Sequence, residues 1–274
     1  MARRPPKDLE PSLLDELRRN LERLRLFAMI EALDKALDKA QTLEQGYATF
    51  LAGLVEKQVL AANDASSKRR IKNACFSETK TFDTFDYGFQ KGLNVALVKD
   101  LMSLDFVRQG RPVLLLGKPG TGKSHMSIAY GHLAALNGHT VLYFACKELL
   151  AKLYASLADG STDWLVRRLA RQDLLIIDDL RDLPSKPEYA SLLYDVVDAR
   201  HSRRSTMVSS NLSVKQWGKA LGNPTLTASL VDRLMERAHV INIKRGRSYR
   251  THGPDAPPES DRPVDLDAED KSDR

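Results

Sequence analysis

A chain of 274 residues, 42% hydrophobic and 28% charged, holds one large domain or two ordinary ones and is too apolar to be disordered. Its two cysteines, Cys75 and Cys146, exclude a disulfide framework and point to a cytoplasmic protein, and MARRPPKDLEP at the start lacks the apolar stretch of a secretory leader. The net charge is +6, but Pro254 to Arg274 carries eight acidic against three basic residues, so the body holds +11, which suits a polyanion such as nucleic acid or serves solubility alone.

In chain order, residues 1–73 read as a small all-α domain. Ser12-Leu13-Leu14-Asp15 resembles a capping box, and Leu14, Leu17, Leu21, Leu24, Leu33 and Leu37 follow at three- and four-residue steps, broken near Ala28. Thr42-Leu43-Glu44-Gln45 reads as a second capping box, opening a helix that carries Tyr47, Phe50, Leu51, Leu54 and Val55. The polar, basic run SSKRRIK covers Ser66 to Lys72. Residues 74–111 are expected to be a linker and packing helix, with Phe76, Phe82, Phe85 and Tyr87 packing on the next domain and a short helix from Asn94 to Met102.

From residue 112 to 252 short apolar runs alternate with helical segments. Strands are expected at Val113–Leu116, Thr140–Ala145, Leu174–Ile177, Thr206–Ser209 and Val240–Ile243. This alternation predicts an α/β fold, a parallel sheet with flanking crossover helices. The uncharged stretch Ser124 to Cys146 is long enough to span a bilayer, but three histidines and Asn137-Gly138 make it a buried helix, a turn and a buried strand, so no membrane is expected. Residues 253–274 read as a disordered acidic tail.

Gly117, Lys118, Pro119, Gly120, Thr121, Gly122, Lys123 and Ser124 match G-x-x-x-x-G-K-[ST] between a strand and a helix. Glycines there let consecutive backbone N–H groups wrap phosphate oxygens at a helix N-terminus. Lys123 is expected on the β- and γ-phosphates of ATP, with the Ser124 hydroxyl on Mg²⁺. The run Leu174-Leu175-Ile176-Ile177-Asp178-Asp179 supplies an apolar strand ending in two acids. Asp178 would hold Mg²⁺ and Asp179 would polarise the attacking water, although such a pair also caps strand-to-helix turns. No N-K-x-D guanine reader and no L-S-G-G-Q is present, which argues against a GTPase or a transport cassette. His125, His132 and His139 recur at sevens without Cys or carboxylate at ligand spacing, so a structural role is expected for them.

With these parts placed, the chain resembles the IstB-type transposition helper ATPases of the AAA+ superfamily, in its initiator and helicase-loader branch. The resemblance runs from about Leu13 to Arg250, through LERLRLFAMIEAL (Leu21 to Leu33), FDTFDYG (Phe82 to Gly88), LLLGKPGTGKSH, LLIIDDL, SSNLS (Ser209 to Ser213), DRLMERAHVINI and SYR. Loaders of the DnaC type share the ATPase core but not the N-terminal phrase.

The resemblance implies P-loop AAA+ architecture with little or no lid beyond the fifth strand. It implies a sensor role for Asn211, an arginine finger toward a neighbouring subunit for Arg233 and a second sensor at Arg250. Asp179 stands where many AAA+ proteins have Glu, although this branch often has Asp there. The implied function is an ATP-dependent homo-oligomer that binds duplex DNA and recruits a partner transposase. The alternatives are a DnaC-type helicase loader and, more remotely, a small-molecule kinase. Candidate DNA contacts are Arg167, Arg168 and Arg171, and a second basic set of Lys68, Arg69, Arg70 and Lys72.

Overall fold

The structure, a computed structural model, describes residues 11–181, 186–243 and 246–254; the tail expected from residue 253 lies, past Pro254, outside them. The chain divides into two compact units, Met1–Arg69 and Arg70–Arg274.

The first unit contains α1 (Pro11–Arg23), α2 (Phe27–Thr42) and most of α3 (Tyr47–Ala74). Its core is Leu21, Met29, Leu33 and Leu54, with Leu14, Leu37 and Phe50 packed around them. The helical period breaks at Arg25, which adopts φ +57° between α1 and α2. Leu26 gives α2 no side-chain cap. Gln58 Oε1 of α3 instead accepts from the Ala28 N–H at 3.1 Å, a first-turn donor with no carbonyl partner inside the helix, and at 3.4 Å shares the Met29 N–H with Leu26 O. Leu17 and Leu24 are exposed, so the apolar stripe expected of them is only partly buried.

Thr42 corrects a sequence expectation. It ends α2 instead of opening α3, and its Oγ1 donates to Asp38 O at 2.8 Å. Glu44 then takes φ +48° in the turn. The basic run Ser66 to Lys72 lies within α3, inside which the division between the units falls.

The second unit opens with a 3₁₀ turn at Phe82–Thr84, then α4 (Val95–Leu101), capped by Asn94 Oδ1 accepting from Leu97 N–H at 3.0 Å, and α5 (Asp105–Arg108). There follow β1 (Val113–Gly117), α6 (Lys123–Leu136), β2 (Val141–Ala145), α7 (Cys146–Ala155), α8 (Thr162–Ala170), β3 (Leu174–Leu180), α9 (Pro187–Arg200) and β4 (Ser205–Ser210). The series closes with α10 (Trp217–Ala220), α11 (Pro224–Met235), β5 (His239–Ile243) and the four-residue α12 (Tyr249–His252). The strands form one sheet in the order β2-β3-β4-β1-β5, every pairing parallel.

Alternate strand residues face opposite sides and bury two cores. Val113, Leu115, Ile176 and Met207 join Phe82, Phe106 and Tyr130, while Leu114, Leu175, Ile177 and Val208 join residues of α7, α9 and α11. The linker aromatics pack on the first side as expected: Phe76 stacks on His132 at 4.6 Å and Phe82 meets Tyr130 edge-on at 4.6 Å. The uncharged stretch forms the bulk of α6 and all of β2, and among the described residues no helix is long and apolar enough to cross a membrane.

One buried charge ties the second core together. Arg200 is 0% exposed and donates to Thr206 Oγ1 and to the carbonyls of Leu169, Gln172 and Ser205. Burial pulls its pKa down to about 9. Four acceptors from three segments meet on one guanidinium, which clamps the end of α8 to the start of β4.

Candidate active site

The loop after β1 is shaped by its glycines. Gly120 (φ +74°) and Gly122 (φ +89°) take left-handed backbone, and a Cβ on Gly122 would lie 2.9 Å from Phe85 Cε2 while one on Gly120 would strike the Ser248 side chain. Tyr249 N–H donates to Gly120 O at 2.8 Å, which fastens α12 to the loop. Thr121 Oγ1 closes the turn onto Lys118 O at 2.8 Å. Gly122 precedes α6 with no side-chain cap, so first-turn N–H groups and the helix dipole face the loop.

Lys123 is 7% exposed, and its Nζ donates to Gly117 O at 2.7 Å and Lys118 O at 2.8 Å. Burial pulls its pKa below the ordinary lysine value, while the Asp179 and Asp178 carboxylates oppose that shift and Arg250 reinforces it. Lys123, at the start of α6, therefore lies within electrostatic reach of the end of β3 and of α12.

Asp178 lies 4% exposed near the end of β3. Its Oδ1 accepts from Ser209 Oγ and, at 3.3 Å, from Ser127 Oγ, and its Oδ2 accepts from Tyr143 OH at 2.9 Å. Burial and then the Asp178 charge push the Tyr143 phenol well above its ordinary pKa, so it serves as a donor. Three neutral hydroxyls from β2, α6 and β4 thus set the orientation of one carboxylate. The sequence did not reveal this set, because strand pairing, which puts Ala145 opposite Asp178, and the packing of α6 on the sheet join positions so far apart.

β3 runs three residues beyond its expected end because a register shift between Ile177 and Leu180 lets pairing with β4 resume. The shift is centred on Asp179, at φ +59°. Its N–H donates to Ser209 Oγ at 2.8 Å and its carboxylate pairs with Arg181 Nε at 3.0 Å. Among non-glycine residues, Asn and Asp tolerate left-handed backbone best, which gives a local reason for Asp here in place of the longer Glu.

A cleft of about 370 Å³ opens beside the loop, lined by Lys123, Ser124, Phe85, Phe89, Gln90 and Arg250, among others. Phe85 meets His125 edge-on at 5.2 Å, and Phe89 meets Tyr249 at 4.8 Å. His125 Nε2 lies 2.8 Å from Thr81 O, so this histidine secures the linker. Among the described residues no group of three or more His, Cys, Asp or Glu side chains could hold a metal. Ser124 and Asp178 are oxygen donors of the kind Mg²⁺ takes when nucleotide phosphates complete its shell, so the residues present fit that ion.

The remaining candidates are dispersed. Arg250 faces the cleft, and Asn211 follows β4 with its Oδ1 buried and unpartnered among the described residues. Arg233 is outside the residues lining the cleft; it lies on α11 with its Nε 3.1 Å from Asp198 Oδ1 of α9. Arg167, Arg168 and Arg171 are exposed on or just after α8. In the second basic set Lys68 pairs with Asp64 at 2.8 Å and Arg69 is exposed. Arg70 is half-buried, its Nε donating to Ala135 O at 2.7 Å near the end of α6, which makes it a helix-terminating group more than an open basic surface.

The family described as IstB-like ATP binding protein matches residues 19–254. The chain is 31% identical over 237 residues to the ATP-binding protein of insertion sequence IS21 from Pseudomonas aeruginosa, covering 86% of this chain and 89% of that one. It is 29% identical over 235 residues to the counterpart of IS232 from Bacillus thuringiensis subsp. berliner, covering 86% and 94%. Among solved structures, AMPPCP-bound DnaA from Aquifex aeolicus superposes with TM-score 0.53 at 20% identity over 64% of this chain and 53% of that one. DnaI does so with TM-score 0.52 at 18% identity over 64% and 93%. Those two likenesses establish the fold.

Proposed function

The chain belongs to the IstB-like ATP-binding family, and from that premise we propose that it is an ATP-driven DNA-assembly factor, oligomerising on duplex DNA and recruiting a partner transposase. It is a P-loop ATPase of the AAA+ type. The observation that carries the proposal is the glycine-shaped loop after β1, whose buried Lys123 is held by the Gly117 and Lys118 carbonyls and shares one cleft with Ser124 and Arg250.

In this reading the backbone N–H groups of residues 120–124 wrap the phosphates and Lys123 moves from the Gly117 and Lys118 carbonyls onto the β- and γ-phosphates. Ser124 and Asp178 would hold Mg²⁺, which when bound would offset phosphate charge. Asp179 orients and polarises the water, Asn211 turns its free Oδ1 or its amide toward that water, and Arg250 steadies the γ-phosphate. Arg233 reaches a neighbouring subunit, the exposed ion pair with Asp198 being weak enough to exchange. The test is the ATPase rate with and without duplex DNA. Stimulation by duplex supports the proposal; a rate indifferent to DNA but raised by a replicative helicase would favour a loader instead.

Asp179→Asn separates binding from turnover. Asn keeps the size and the tolerance for φ +59°, so ATP should still bind while single-turnover hydrolysis falls roughly 10²-fold or more. The oligomer should then persist on DNA. Equal loss of binding and hydrolysis would make Asp179 a metal or structural group.

The DNA contact should be mainly to phosphates. Affinity is expected to fall steeply with salt and to vary little with sequence. Replacing Arg167, Arg168 and Arg171 together should flatten the log–log salt slope by up to about three phosphate contacts. An unchanged slope would move the DNA surface elsewhere.

A further inference from the structure

The outer face of α8 carries more than charge. Trp164, Arg167, Arg168 and Arg171 are spaced i, i+3, i+4 and i+7, which gathers four side chains on one side of the helix. Leu165, Val166 and Leu169 take the other side and pack into the second core. The indole is left 61% exposed, whereas Trp217, the other tryptophan, is fully buried. The Arg168 guanidinium lies 5.5 Å from the Trp164 ring centroid. The acid on this helix, Asp163, sits in the first turn, where the dipole favours it, and reaches Arg167 only at 4.0 Å.

Three arginines attract the phosphates of a polyanion, but phosphate has no use for a flat apolar ring. A nucleobase does. A single indole among several cations is also unlike a single-strand platform, where successive rings stack successive bases. It matches instead the apolar wedge that partly unstacks one base step of a bent duplex. Arg168, drawn to a phosphate, would uncover the indole face at the moment the base step arrives.

We infer that Trp164 is a wedge that inserts at a base step of duplex DNA while Arg167, Arg168 and Arg171 hold the flanking phosphates. This rests on the duplex-binding reading of α8 given above and deepens it, by adding contact with the base stack to contact with the backbone.

The experiment uses the full chain with ATP, Mg²⁺ and duplex DNA carrying 2-aminopurine at interior positions. Duplex should quench the emission of Trp164, leaving the signal of buried Trp217, and 2-aminopurine emission should rise as its step unstacks. Trp164→Ala should weaken duplex binding about tenfold, with the salt slope unchanged and both fluorescence changes lost. Trp164→Phe should retain most of the affinity and the 2-aminopurine rise. ATP turnover without DNA should be the same in both variants. Trp164→Ala binding duplex with full affinity and a full 2-aminopurine rise would overturn the wedge while leaving the arginine contacts standing. A larger loss on single strands than on duplex would overturn it too, in favour of stacking on unpaired bases. If the triple arginine variant leaves affinity and slope untouched, the reading of α8 fails and the wedge fails with it.

Discussion

Lys123→Ala is expected to lower ATP turnover by roughly 10²–10³-fold, the order associated with removing one preorganised donor from developing charge. The ammonium is 7% exposed and held by two loop carbonyls, so it is already positioned and little reorganisation is needed when phosphate oxygens replace those carbonyls. Its removal deletes the cation that offsets Asp178 and Asp179 at the end of the sheet. Turnover measured by phosphate release should collapse together with ATP-dependent assembly, followed by sedimentation on DNA. The thermal midpoint reports folding separately, because Gly117 O and Lys118 O lose a donor as well. A folded variant that hydrolyses ATP at the parental rate would refute the assignment of this site.

Arg233→Ala should be at least as damaging, and the damage should be repairable from outside. Arginine fingers contribute roughly 10³–10⁵ in rate in the GTPases. Arg233 lies on α11 and pairs with Asp198 of α9 on its own chain, and the proposed arginine finger acts on the nucleotide of a neighbour. Mixing makes this measurable. Arg233→Ala keeps a complete P-loop and Lys123→Ala keeps its arginine; each alone should be nearly inactive. Combined on DNA, the P-loop of the first can receive the arginine of the second, and part of the activity should return. No recovery at any ratio, with co-assembly verified, would mean that Arg233 acts only within its own subunit.

The parts that could be read in advance are those whose chemistry is contiguous. The glycine-rich loop after β1 was legible because glycines, lysine and serine lie within eight residues between a strand and a helix, and the five strands because each is a short apolar run. Thr42 was misread for a related reason. A Thr followed three residues later by Gln fits a helix start, yet a Thr hydroxyl can equally bond back four residues inside a helix, as Thr42 does to Asp38 O. Local pattern did not separate the two; burial of Leu33 and Leu54 in one small core is what the helices satisfy.

The sequence by itself determined the architecture of the second unit, the class of ligand and the glycine-rich loop proposed to meet its phosphates. Only the tertiary structure decided how those residues are held. Ser127, Tyr143 and Ser209 come from a helix and two strands and converge on Asp178, and Leu169, Gln172, Ser205 and Thr206 converge on Arg200. It also placed Asp179 at a register shift with left-handed backbone and turned Arg70 onto the end of α6. The physical reason is range. Helical and strand periods encode which face is apolar within a few residues, whereas a buried hydrogen bond depends on sub-ångström distances between segments that sheet register and helix packing bring together.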